Sequence, residues 1–371
     1  MTEDNGAREN RIDKLFTIMI KQNASDLHLK NDQPPILRIS GQLQTLKSDP
    51  LTDRQIQKLV YEVLSPQQQA VFEDIGSLDL SYEFADKQRV RMNVFRQRGH
   101  VSLAARRVHS NIPTFKELYL PEQLADIASF NTGLVLVCGP TGCGKSTTLA
   151  AMLEYINGNR RLHILTIEDP IEYSHRDRKS FINQREVGLD VPSWDSALKY
   201  MVREDPNVIL IGEMRDPNTI HAGMAASETG HLVMGTLHSR DVPQTVSRIL
   251  EMFPAERHHV IREGLAQNLR AIIVQMLLPA AVEGVRVVPA LEILMVNPLA
   301  RQLIRRGEEN KLGDLVRANT SDGSQAMVQA IADLVNKDLV LRKVALRLAP
   351  NREQLEMALR GISVDSGRII G

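Results

Sequence analysis

Eight consecutive residues constrain this chain more than any other feature: Gly139-Pro-Thr-Gly-Cys-Gly-Lys-Ser146 fits the pattern G-x-x-x-x-G-K-[ST] without a mismatch. Residues 134–138 before it form a continuous apolar run that reads as a buried strand, and residues 145–156 after it read as a helix. A strand, a glycine loop and a helix in that order belong to an α/β fold, with helices packed on a mainly parallel sheet. The chemistry of such a loop is phosphate binding. Its glycines let successive backbone N–H groups turn inward around a β-phosphate, at the positive end of the following helix. Lys145 is placed to neutralise the β and γ oxygens, and the Ser146 hydroxyl to take a Mg²⁺ position. Thr141, Gly142, Cys143, Gly144, Lys145, Ser146 and Thr147 are therefore expected to line a nucleoside triphosphate.

Hydrolysis needs carboxylates at the ends of neighbouring strands, where ligands bind in open α/β sheets. Residues 164–172 read Ile-Leu-Thr-Ile-Glu-Asp-Pro-Ile-Glu and put Glu168, Asp169 and Glu172 at one strand's C-terminal edge. Residues 208–213, Val-Ile-Leu-Ile-Gly-Glu, place Glu213 just beyond a second apolar run. An ordinary Walker B strand ends in an Asp that holds Mg²⁺; here Gly212 fills that slot. Orientation of water or metal then falls to Glu213 with help from the first acidic cluster, Glu168 and Asp169 being the candidates nearest the metal. His231 and His238 bracket a further strand candidate, 232–237. His231 reads as an ordinary satisfied histidine, whereas His238, at the far end of the strand, is placed to meet a γ-phosphate. Of the two cysteines, Cys138 belongs to the buried strand and Cys143 reads as a small residue suited to a tight loop. Two cysteines in one chain build neither a disulfide framework nor a four-cysteine zinc site.

The remaining sequence divides at a change of pattern. A chain of 371 residues exceeds what one compact core usually holds, so two domains are expected. Residues 1–110 read as a small α+β domain: a helix over 11–22, strands over 26–29, 36–40 and 42–46, helices over 52–64 and 66–73, then strands over 78–84, 89–96 and 101–108. Residues 111–127, with Pro113 and Pro121, read as a stiff linker, and 128–371 as the nucleotide domain. After Val242 the pattern reads as largely helical, including 242–252, 255–276, 298–306 and most of 324–359. The first domain carries arginines on its strands, among them Arg91 and Arg106. Such residues serve solubility on an exposed strand face, yet arginine is also the chemistry that meets γ-phosphate charge. Lys plus Arg and Asp plus Glu balance at 45 each and aromatics are 4%, which disfavours nucleic acid as a partner. The longest apolar stretch, 271–282, is too short to span a bilayer and the first ten residues are polar, so a soluble cytoplasmic protein is expected.

Taken together, the motifs resemble one family, the type IV pilus retraction ATPases of the PilT and PilU kind, within the secretion-ATPase superfamily. The resemblance rests on the Gly139–Ser146 loop, an "Asp box" at Thr166-Ile-Glu-Asp-Pro-Ile-Glu172, and Glu204-Asp-Pro-Asn-Val-Ile-Leu-Ile-Gly-Glu-Met-Arg-Asp216 as an atypical Walker B segment. Glu228-Thr-Gly-His-Leu-Val-Met-Gly-Thr-Leu-His238 is similar to the "His box", and Ala24–Leu29 and Gln184–Gly188 to further family segments. It runs from about Ile12 to about Leu341. The resemblance implies a PAS-like N-terminal domain and a RecA-like ATPase domain, assembled as a homo-hexamer that hydrolyses ATP with Mg²⁺ and retracts a pilus. It implies Glu213 and Glu172 as catalytic acids, His238 as a reporter on the γ-phosphate, and Arg91 and Arg106 as phosphate-contacting arginines. The implied partners are an inner-membrane pilus platform protein and, for a PilU-type chain, a second paralogous motor, with work done at the inner face of the cytoplasmic membrane. One departure stands out. The family's Ala-Ile-Arg-Asn-Leu-Ile-Arg-Glu signature reads Leu299-Ala-Arg-Gln-Leu-Ile-Arg-Arg306 here, so its final acid is Arg306.

Other functions remain open at this level. The nearest alternative is a pilus-assembly or type II secretion ATPase; those relatives typically carry a four-cysteine zinc insertion and an extra N-terminal domain, neither of which is read here. A nucleic-acid translocase on a RecA-like core fits the loop but not the neutral charge. A nucleotide-sensing regulator fits the loop but not the retained Glu213 and Glu172.

Overall fold

In the computed structural model the structure describes residues 11–39, 41–85, 88–318 and 320–362. Two compact units emerge. The first runs to Asn111 and includes Glu172–Ser174; the second takes Ile112–Ile171 and continues from His175.

The first unit opens with α1 (Arg11–Lys21), whose Ile12, Phe16 and Met19 recur at helical spacing and are fully buried. Strands β1 (Asp26–Leu29), β2 (Ile36–Ile39) and β3 (Gln42–Thr45) follow, then helices α2 (Asp53–Tyr61) and α3 (Pro66–Ile75). Thr52 and Ser65 each form a capping box at these helix starts, their hydroxyls accepting from the Gln55 and Gln68 amides. Strands β4 (Ser77–Phe84), β5 (Gln88–Gln97) and β6 (His100–Val108) complete a sheet of order β3-β2-β1-β6-β5-β4 among the described residues. Val90, Met92 and Val94 of β5 alternate inward, as period two requires, and meet α1 and α2 in one core. The strands expected here all form; the expected turn at Ser40-Gly41 begins at a residue outside the described ones.

The second unit is a sheet of order β13-β12-β7-β11-β10-β8-β9. Its strands are β7 (Gly133–Cys138), β8 (His163–Glu168), β9 (Phe181–Glu186), β10 (Val208–Ile211), β11 (Leu232–Leu237), β12 (Leu269–Pro279) and β13 (Val287–Met295). All neighbours pair in parallel except β13, which runs antiparallel to β12. Alternate residues of β7 enter different cores: Leu134, Leu136 and Cys138 on one face, Val135 and Val137 on the other. Both faces are covered, which is why these strands read as unbroken apolar runs. Helices α6 (Trp194–Met201), α7 (Pro217–Glu228), α8 (Val242–Glu251), α9 (His258–Asn268) and α10 (Pro298–Arg306) cover one face; α4 (Gln123–Ala128) and α5 (Lys145–Asn159) cover the other. Helix α11 (Leu312–Ala318) follows α10, and α12 (Met327–Asn336), α13 (Arg342–Leu348) and α14 (Arg352–Ala358) pack against the ends of β12 and β13.

Two expectations need correction. The region 255–276 is not one helix: α9 ends at Asn268, and residues from Leu269 onward are β12. The run Leu269-Arg-Ala-Ile-Ile-Val274 is largely apolar on both faces because alternate residues enter the two helix-covered cores, and such a run carries no alternation to mark it as a strand. The segment expected as a linker, 111–127, also lies differently. Leu120, Leu124 and Ile127 are buried in the core under α5, with Phe115 and Leu118 packed beside them. Its prolines stiffen a strap belonging to the second unit.

Candidate nucleotide site

The parallel register carries the C-terminal ends of β7, β11, β10 and β8 to one edge. Leu237 pairs with Cys138, Ile211 with Gly235 and Ile211 with Ile167. The residues that follow these positions, Gly139, His238, Gly212-Glu213 and Glu168, therefore emerge side by side, where ligands meet open α/β sheets.

The loop after β7 uses positive φ at Gly139, Gly142 and Gly144. Helix α5 begins at Lys145 with Gly144 as its N-cap and no side-chain hydrogen bond closing that cap. With no cap side chain over its first turn, that end of the helix is open to an anion as its natural complement. Lys145 Nζ donates to the carbonyls of Gly139 (2.9 Å) and Pro140 (3.1 Å), folding the ammonium over the mouth of the loop. Ser146, Thr141 and Gly142 are exposed there, while Cys143 is buried within the turn. Burial raises the Cys143 thiol, and pushes Cys138 up to about 11; both stay neutral packing groups.

At the end of β10, Glu213 and His238 come together: His238 Nε2 lies 3.4 Å from Glu213 Oε1, and the Arg215 guanidinium is 3.8 Å from Oε2. Each of the pair keeps over a third of its side chain exposed, so it faces incoming ligand rather than the core. The backbone around Glu213 is pinned by Thr236 of β11, whose hydroxyl donates to Gly212 O (2.6 Å) and whose carbonyl accepts from Met214 N (2.9 Å). Gly212 explains the missing Walker B Asp. A Cβ there would lie 3.1 Å from the Ile167 carbonyl and 3.3 Å from Glu168 Cα, so any side chain would press tightly against β8. Glu168 itself is held at Oε1 by the Thr166 hydroxyl (2.6 Å) and Gln184 Nε2 (3.2 Å). Asp169 is exposed beyond it.

The other predicted residues sit in the first unit. Glu172 groups with it, its carbonyl accepting from His109 N (3.1 Å) while its side chain is exposed. Arg91 and Arg106 are direct cross-strand partners of β5 and β6, so their side chains share one face. Arg106 Nε donates to Asp26 Oδ1 (2.8 Å). Burial would raise that carboxyl, but the hydrogen bonds from Arg106 and Ser25 outweigh it and hold it below the ordinary range. His231 is satisfied locally by Ala226 O (2.9 Å) and Thr229 Oγ1 (3.1 Å), as expected of a turn histidine. Sequence reasoning missed Thr236, Gln184 and Gln275. Each is a polar residue inside or beside a strand, a signal visible only once the strand is placed.

Comparison with known proteins places the chain in a family. The type II/IV secretion system protein family matches residues 1–290. The type IV pilus retraction ATPase PilT of Pseudomonas aeruginosa is 40% identical over 334 residues, covering 90% of this chain and 96% of the relative. The type IV pilus ATPase PilU of the same organism is 38% identical over 348 residues, covering 94% and 91%. Among solved structures, the pilus retraction motor PilT with bound ADP superposes with a TM-score of 0.84 at 40% identity, covering 92% of this chain and 98% of that one. The DotB ATPase of Legionella pneumophila, at 23% identity and a TM-score of 0.75, shares the fold. With the phosphate loop, the Glu213–His238 pair and these relatives in agreement, the chain belongs to the type II/IV secretion system ATPases, in their PilT-like pilus retraction group.

Proposed function

We propose that this chain is the motor that couples ATP hydrolysis to retraction of type IV pili. The observation that carries the reading is the meeting of Glu213 and His238 beside the phosphate loop, His238 at the end of β11 in direct register with β7 and Glu213 after the next strand, β10. ATP lies with its β-phosphate in the loop and draws Lys145 from the Gly139 and Pro140 carbonyls to the β and γ oxygens. Glu213 orients the attacking water and accepts its proton, and His238, bonded to Glu213, registers the presence or loss of the γ-phosphate. Mg²⁺ would be held by the Ser146 hydroxyl and the phosphates, supplying charge neutralisation at the β and γ oxygens. A single hydroxyl suits Mg²⁺, which keeps most of its waters and binds through substrate phosphates rather than in a protein cage. Glu168 and Asp169 act on it through water.

The first unit, read as a PAS-like domain, supplies Arg91 and Arg106 to the phosphates and Glu172 as a second acid. Six copies form a ring, and closure and release of the arginines with each turnover becomes motion of one domain against another. The motor works on an inner-membrane platform protein at the cytoplasmic face of the membrane. No helix among the described residues is long and apolar enough to cross one.

A second reading, an accessory motor of the PilU kind, is favoured by the near-equal identity to PilU and by Arg306 at the end of the 299–306 segment. Deleting the gene separates the two. A retraction motor leaves cells with many pili that never shorten; an accessory motor leaves retraction running on its partner. Cells without pili would instead assign the chain to assembly and overturn both.

A further inference from the structure

The phosphate loop rests against one polar side chain inside an otherwise apolar strand. Gln275 lies on β12, is 2% exposed, and bonds at both ends of its amide: Nε2 donates to Cys143 O (2.6 Å) and Oε1 accepts from the Thr148 hydroxyl (2.7 Å). A buried primary amide in an apolar strand costs free energy unless fully bonded, so its place there calls for a reason beyond packing.

Peptide geometry supplies one. Across a trans peptide the C=O and the following N–H point in opposite directions. By holding the Cys143 carbonyl toward β12, Gln275 turns the Gly144 N–H the other way, toward the position a β-phosphate takes in such a loop. The Cys143 carbonyl, which can only accept, fixes the nitrogen end of the amide toward the loop, and the Thr148 hydroxyl holds the other end by donating to the oxygen. The same contact bears on the motif's glycine. Gly144 sits at φ +88°, and a Cβ there would lie 2.8 Å from Gln275 Nε2. The loop is thus shaped between two supports, α5 through Thr148 and β12 through Gln275.

We infer that Gln275 is a positioning residue for nucleotide binding: it sets the Cys143–Gly144 peptide so that the Gly144 amide faces the phosphate. This rests on the nucleotide reading of the loop, and deepens it. The test is MgADP affinity, measured by fluorescence of a methylanthraniloyl-labelled ADP from about pH 6 to about pH 9, with thermal melting alongside to confirm folding. Each variant is compared with the wild type at the same pH. Gln275→Leu removes the donor and is expected to weaken ADP roughly 10- to 100-fold at every pH, the range for an unpaired buried carbonyl in a misaligned loop. Gln275→Glu is the sharper probe. Its protonated form reproduces the glutamine pattern, donating to Cys143 O and accepting from Thr148, whereas its anion faces the carbonyl with no proton to give. Burial raises such a carboxyl, so the weakening should be large at high pH and shrink as pH falls.

A merely structural role would give a loss that follows the melting temperature at each pH. That result, or affinity within about twofold of wild type throughout, overturns the assignment. Should Gln275→Glu fail to fold, Thr148→Val decides, since it frees the amide to rotate without touching the loop: several-fold weaker ADP supports the inference and unchanged affinity ends it. Failure of the underlying reading is separate, because then the wild type itself would not bind labelled ADP.

Discussion

At the scale of single residues, the site divides its labour between binding and turnover, and the two can be separated by substitution. Lys145 touches only backbone carbonyls of its own loop, so Lys145→Ala removes a cation aimed at phosphate without disturbing the core. The expected result is loss of ATP and ADP binding in a folded protein, read by titration with labelled nucleotide. Glu213 stands off the loop beside His238, and Glu213→Gln keeps the side chain's volume and its reach to His238 Nε2. That variant should bind ATP within a few-fold of wild type and turn over at least about 100-fold more slowly, as removal of a positioned general base predicts. Single-turnover kinetics with pre-bound ATP checks it, and undiminished turnover would remove Glu213 from the catalytic role. Arg106 is a different case. Its guanidinium is tethered to Asp26 through Nε, while the side chain as a whole stays 73% exposed.

At the scale of elements, the β12–β13 hairpin does more than extend the sheet. Its inner strand supports the phosphate loop through Gln275, and its outer strand carries Glu292, which accepts from Val242 N (3.1 Å) at the start of α8, just after His238 and Ser239. Burial pushes Glu292 up to about 7, with the Val242 amide opposing, Asp241 adding to the rise and Arg317 opposing. The unfolded chain gives up that proton near the ordinary 4.5, so between about 4.5 and about 7 the folded state binds more protons, and stability falls as pH rises. Glu292→Gln keeps the acceptor for Val242 and has no charge to bury. It should raise stability above about pH 7 by up to about 3 kcal/mol and flatten the decline between pH 5 and 7, measured by urea unfolding across pH. A variant no more stable than wild type at pH 8 would show Glu292 to be solvated. This hairpin also marks where sequence reading stopped. Strands such as β5, with Val90, Met92 and Val94 alternating against polar neighbours, announce themselves by period. The phosphate loop announces itself by residue type at fixed spacing. β12 does neither, because burial on both faces erases the alternation. Strand β9 (Phe181–Glu186) is an edge strand with little apolar content, and polar side-chain bonds such as Gln184 to Glu168 join its backbone pairing with β8, so no apolar period announces it. Gln275 was visible as an interruption of an apolar run, but its role depends on which strand lies next to β7, a long-range fact that no local pattern encodes.

At the scale of the whole molecule, the site residues are shared between two units. The phosphate loop, Glu213 and His238 belong to the second, while Arg91, Arg106 and, by its contacts, Glu172 belong to the first. On the proposed reading, in which Arg91, Arg106 and Glu172 act at the phosphates, turnover draws on both units, which is what a motor needs if hydrolysis is to move one against the other. Identity of 40% to a pilus retraction ATPase across nearly the full length of both chains supports retraction as the proposed work. The most direct measurement images fluorescently labelled pili in living cells whose sole copy carries Glu213→Gln. Hydrolysis-driven retraction predicts pili that extend normally, accumulate and stay static. Cells lacking pili, or pili that still retract at the wild-type rate, would contradict it.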